Sequence, residues 1–236
     1  MSILLPTEME LAQVIDDADP DAIHAAREAL RHALAHEYKG KLLEIYGAMR
    51  SNEPYSPDST SAGRRSLRNT CLRYLTSEDT PDARRLAFEH FRSADNMTDK
   101  VAGLAPLIDL TGSEREQALT GFYEQWKHNP LVIDKWMTLQ AHSSHKDTLS
   151  HIVELTKHAA FNIENPNRVR SLIGAFVMGN QLRFHAGDGS GYAFLADQVL
   201  TLDGINPQVA ARLCGAFETW RRFDSKRQTL IRSQLS

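Results

Sequence analysis

Along most of this chain apolar side chains return every third or fourth position, the period that places them on one face of an α-helix. Behind Asp19-Pro20, Ile23, Ala26, Ala29, Leu30, Ala33 and Leu34 make one such stripe. Asp19 supplies the cap and Pro20 a first helical residue whose missing amide costs nothing there. The same punctuation returns at Thr80-Pro81, Asn129-Pro130, Asn165-Pro166 and Asn206-Pro207, while Ser113 and Glu116 have capping-box spacing. Each is expected to open a helix. Sustained two-residue alternation is missing, so the pattern predicts an all-α fold without a substantial sheet. Ser51 to Ser61, with Pro54 and Pro57 among small polar residues, is the expected loop. The helix-turn-helix rhythm has neither fixed length nor consensus, which argues against a tetratricopeptide or ankyrin array. The expected architecture is an irregular superhelix of antiparallel helix pairs, armadillo- or HEAT-like, in one domain over residues 1–236.

Composition narrows the function classes. At 236 residues the chain can bury a sizeable core without staples. Its two cysteines, Cys71 and Cys214, both sit within apolar patterns and are expected to be buried thiols in a reducing compartment. A net charge of −3 with dispersed basic residues argues against a nucleic-acid partner. No apolar run approaches the ~20 residues that cross a bilayer, and Met1 to Pro6 lacks the pattern of a signal peptide. The expectation is a cytoplasmic protein with neither nucleic-acid nor membrane partner.

Several segments imitate catalytic motifs. His36-Glu37-Tyr38-Lys39-Gly40 begins like the H-E-x-x-H zinc helix, but Gly40 stands where the second ligand is needed. Gly47-Ala48-Met49 continues with Arg50 and Ser51, not with glutamate and asparagine. Both are read as helix. Among ten histidines, His142 with His145 and His32 with His36 have suggestive spacing without an evident third ligand, so no metal is expected in this chain. Gly187-Asp188-Gly189-Ser190-Gly191 lacks the lysine and preceding strand of a phosphate loop, and is read as a turn in which Asp188 or Ser190 caps the next helix. Phe122, Tyr123, Trp126 and Trp136 lie in helical patterns and are read as packing anchors. No particular serine is activated, and no catalytic residue is assigned.

The arginines behind two Asn-Pro caps stand out. Arg168 and Arg170 fall in a first helical turn, where they add to the positive end of the helix dipole. Gln208 and Arg212, four residues apart, share a helix face, and Arg212 can fork onto a carboxylate. Two readings stand for these side chains: binding neighbouring helix ends and carboxylates, or facing a ligand.

The phrases NPNRVRSLIGAF, FHAGDGSGY and NPQVAARL, with NPLVIDKWMTLQA, NMTDKVAGL, RRSLRNTCLRYL and DPDAIHAAREAL before them, resemble the C-terminal helical domain of bacterial aminopeptidase N. That family consists of zinc-dependent enzymes that remove N-terminal residues from peptides. The resemblance implies that this chain is a fragment, with Met1 not the native start, whose partners are an upstream catalytic domain and peptide substrates. Zinc would belong to the parent enzyme and the fragment alone would be inactive. It further implies an internal cavity faced by Arg170, Gln208 and Arg212 as substrate-binding residues, with Arg168 structural. The alternative is a stand-alone helical-repeat scaffold that binds a peptide or protein.

Overall fold

A computed structural model describes residues 4–51 and 53–236; Met1 to Ile3 of the leader reading and Asn52 of the expected loop lie outside them. Among the described residues the regular structure is helical, apart from one isolated parallel bridge between Ala18 and Phe223. The helices are α1 (Glu8–Gln13), α2 (Pro20–Glu37), α3 (Lys39–Ala48), α4 (Ser59–Leu75), α5 (Pro81–Ser93), α6 (Met97–Asp109), α7 (Ser113–Trp126) and α8 (Pro130–Ala141). After them come α9 (Thr148–Leu155), α10 (Pro166–Val169), a π-helical turn (Arg170–Gly174), α11 (Ala175–Gly179), α12 (Gln181–Phe184), α13 (Ser190–Asp203), α14 (Pro207–Cys214) and α15 (Ser225–Leu235).

The contacts divide the chain into two compact units, one of residues 1–5 and 26–125, the other of residues 6–25 and 126–236. In the first unit α3 packs on α4 across the loop, and the three residues Ala94 to Asn96 fold α5 back on α6. Its core includes Leu42, Cys71 and Tyr74, with Leu34, Ile45 and Leu75 packed against them. The α5–α6 approach depends on Gly103, where a Cβ would lie 2.5 Å from the Phe91 backbone nitrogen. In the second unit the core is aromatic. Phe184 meets Tyr192 edge-on at 5.3 Å and Phe176 at 6.0 Å, with Phe217 behind them. Arg227, 4 % exposed, ties this unit's ends together: it donates to the His185 carbonyl (2.7 Å) and pairs with Asp19, Asp21 and Asp224.

The expected caps are present. Thr80, Asn129, Asn165 and Asn206 each accept a backbone N–H through the side chain, with proline next, and Asp19 accepts from the Asp21 amide at 3.0 Å. Asp188 likewise accepts from the Ser190 backbone and hydroxyl, while Gly189 takes the left-handed conformation (φ 75°) that starts α13. Phe122 and Trp136 are buried anchors.

Four local expectations are corrected. The loop ends before Ser59, because Asp58 accepts from the Thr60 and Ser61 amides and opens α4 there. His36 to Gly40 is not continuous helix: α2 ends at Glu37 and α3 begins at Lys39, with Tyr38 between them. Cys71 is buried, but Cys214 is exposed, since α14 turns Ala210 and Leu213 inward and the next position points about 100° away. Finally, the apolar stripe of α2 is mostly outside. Ile23 is buried, whereas Ala26, Ala29, Leu30 and Ala33 are exposed; the half-buried side carries Arg27, Glu28, Arg31 and His32. Glu28 pairs with Arg31, and His32 hydrogen-bonds the Ser77 carbonyl at 2.8 Å, while Arg31 Nε is buried without a partner.

Candidate functional site

Three helical segments of the second unit border a cavity of about 720 Å³. From α8 come Leu131, Asp134 and Thr138, followed by His142 just past the helix end. This three- and four-residue spacing lays them along one side. The stretch from α10 to α11 contributes Pro166, Asn167, Arg170, Gly174 and Met178, and α14 contributes Val209, Arg212 and Leu213. The first turn behind Asn165-Pro166 and the α14 face that carries Val209 and Arg212 therefore border one cavity.

The π-helical turn lies within this wall. Widening a helix by one residue changes the direction of side chains and frees backbone groups that need other partners. The Thr138 hydroxyl donates to the Ser171 carbonyl (3.0 Å), giving that acceptor a partner from the neighbouring helix. Arg168, just before the turn, points away from solvent and is 8 % exposed. Its guanidinium binds the Ala160 carbonyl (2.8 Å), the Pro130 carbonyl (3.0 Å) and Asp134. Ser171 also donates to Asp134, at 3.1 Å. Arg168 thus joins helices, and Asp134 is already neutralised.

Arg170 and Arg212 behave differently. Both are exposed on the cavity, and among the described residues neither forms an ion pair. Arg170 has one polar contact, a 3.2 Å hydrogen bond to the Asn167 side chain. Gln208 is exposed in the first turn of α14 and does not line the cavity. The result is a largely apolar cleft with two unneutralised guanidiniums, suited to carboxylate or carbonyl oxygens beside apolar groups.

His142 is a further wall residue, which the sequence showed only as half of a possible metal pair. Gly179 packs so closely on it that a Cβ there would lie 2.3 Å from His142 Nε2. His142 is exposed at the cavity mouth, and the partial loss of hydration of its ring lowers its pKa from the ordinary imidazole value, opposed by a hydrogen bond to the Ala175 backbone. It is therefore neutral at pH 7 and can both donate and accept. The available signal was the register Leu131, Asp134, Thr138, His142.

A family model described as a domain of unknown function (DUF3458_C) built of ARM repeats matches residues 1–236. The chain belongs to this family. It is 42 % identical to aminopeptidase N of Caulobacter vibrioides over 235 residues, which is 99 % of this chain and 27 % of that protein. It is 41 % identical to aminopeptidase N of Escherichia coli K12, again over 99 % of this chain and 27 % of the relative. A crystal structure of Legionella pneumophila aminopeptidase A in complex with aspartic acid superposes with a TM-score of 0.90 at 30 % identity, covering 99 % of this chain and 28 % of the other. The chain thus spans about a quarter of the length of these relatives and corresponds to their C-terminal region.

This ARM-repeat domain does not fit the zinc that the resemblance implies for the parent. Among the described residues no three His, Cys, Asp or Glu side chains gather as a ligand set. His145 instead faces Asp147 at 3.6 Å, and His151 bonds Gln140 at 2.8 Å. No described helix is long and apolar enough to cross a membrane.

Proposed function

We propose that this domain is the C-terminal part of a zinc aminopeptidase, in which it encloses the substrate cavity and holds the end of the peptide remote from the cleaved bond. Zinc, held elsewhere in the parent, would polarise the scissile carbonyl and activate water. The observation that carries the reading is the meeting of unpaired Arg170 and Arg212 on one cavity, in a domain 39–42 % identical to the C-terminal region of aminopeptidase N. Arg212 and Arg170 bind peptide carbonyl or terminal carboxylate oxygens, whereas Gln208, which lies off the cavity lining, is given no contact in this reading. The reading also puts the parent in the cytoplasm, which fractionation of cells expressing it tests.

The decisive comparison is Arg212→Ala in the complete enzyme, assayed on longer peptides and on a short arylamide. A charge-assisted hydrogen bond contributes about 1.5–3 kcal/mol, so recognition of the longer peptides should weaken roughly ten- to a hundredfold. The arylamide cannot reach Arg212 and should be little affected. Equal losses on all substrates at unchanged thermal stability would point to misplaced domains, and no loss on any would make Arg212 structural.

A further inference from the structure

The first unit holds another cavity, of about 470 Å³, whose lining includes Tyr46 of α3, Arg50 beyond its end, Arg68 of α4, and Glu89, His90 and Arg92 of α5. Three arginines and one glutamate line it, and the Arg92 guanidinium carbon lies 5.8 Å from the centroid of the Phe88 ring. Among the described residues none of the three arginines forms an ion pair, and Arg50 and Arg92 are exposed. Arg68 is held in place by Tyr46: its guanidinium carbon lies 4.8 Å from the ring centroid, and its Nη2 donates to the phenol oxygen at 3.4 Å.

Tyr46 Oη also lies 2.9 Å from His90 Nδ1, and the tautomer in which the hydroxyl donates to Nδ1 carries the imidazole proton on Nε2. His90 is 2 % exposed, and its Nε2 has no partner; Arg68 Nε is likewise buried and unpartnered. Buried donors without acceptors are uncommon and costly. In that tautomer both unsatisfied groups identified at this cavity, Arg68 Nε and His90 Nε2, are donors, and the net side-chain charge of the lining is positive.

We propose that this cavity is a binding site for a small, multiply charged oxyanion, with Arg50, Arg68 and Arg92 supplying charge and His90 a neutral N–H donor. Phosphate and carboxylate oxygens share the required chemistry: planar guanidiniums fork onto either, and both supply acceptors for the two orphaned donors. Glu89, the one carboxylate on the wall, disfavours a crowd of anions and suits a single ligand. The site is independent of the peptide-binding reading of the other cavity.

Calorimetric titration of the 236-residue chain with sodium phosphate, and separately with citrate, against sodium chloride of equal ionic strength, tests the proposal. Saturable binding of at least one is expected, and the tighter ligand identifies the source as phosphoryl or carboxylate. Arg50→Gln and Arg92→Gln should each weaken binding at least tenfold with unchanged circular dichroism, whereas Arg92→Lys should retain most of it. In the unsubstituted protein the His90 imidazole resonances should move with the bound anion and not with chloride. Absence of saturable binding by both anions, binding within twofold of wild type in both glutamine variants, or unmoved His90 resonances would overturn the site.

Discussion

His90 and His185 show how burial decides what a histidine does, one in each unit. His90 is held down to about pKa 4 by burial and by the Arg68 charge, and His185 to about 3 by burial and by Arg227. Each is neutral in the fold but takes a proton near pH 6.5 when the chain unfolds. The unfolded state therefore binds more protons below that pH, and stability falls as pH falls from 6.5 toward the folded values. At ~1.4 kcal/mol per unit, each histidine should remove about 3 kcal/mol between pH 6.5 and pH 4. Urea denaturation across this window checks it. His90→Gln and His185→Gln, which keep a polar partner for Tyr46 and Tyr192, should each flatten the slope by their own share; an unchanged slope in both would assign the acid sensitivity to other groups. From the sequence alone these histidines were indistinguishable from His142 or His145. Spacing identifies a possible metal pair, whereas tautomer, hydration and partner depend on residues tens of positions away.

At the scale of elements, caps and close approaches carry different energies. An asparagine cap such as Asn129 or Asn206 is a local device, readable from a capping residue followed by proline, and its loss costs about 1 kcal/mol. The capping box lies at Thr7 and Glu10, where both reciprocal hydrogen bonds form; α7 instead has Ser113 as its first helical residue. Glycines in helices show what no local rule reveals. Gly103 and Gly121 both interrupt helical patterns, but a Cβ at Gly103 meets the Phe91 backbone whereas one at Gly121 meets nothing within 4 Å. Gly103→Ala should therefore push α5 and α6 apart and destabilise the chain by about 1–3 kcal/mol. Gly121→Ala should stabilise it by about 0.5–1 kcal/mol, because alanine loses less conformational freedom in a helix. Chemical denaturation of the two variants should give opposite signs, and a neutral Gly103→Ala would show that the helix pair can relax.

For the molecule as a whole, the chain contains no H-E-x-x-H pair, and Gly40 ends its nearest imitation. Purified protein should carry no stoichiometric zinc and should not release arylamine from alanyl arylamides; metal analysis and that assay check both. One tightly held zinc with chelator-sensitive activity would overturn this expectation. The sequence by itself determined the helical class and most helix starts, because a 3.6-residue period and a capping side chain act within one or two turns. It also determined the family likeness, carried by phrases around Asn165 and Asn206. Only the tertiary structure decided which side of α2 is covered, that Cys214 is exposed, and that Arg168 is enclosed by carbonyls and Asp134 while Arg170, two residues on, is open. It alone brought Arg170 and Arg212 to one cavity and gathered Arg50, Arg68, Arg92 and His90 around another. The physical reason is range: hydrogen bonding within a helix is local, whereas desolvation and charge pairing depend on which distant segments become neighbours.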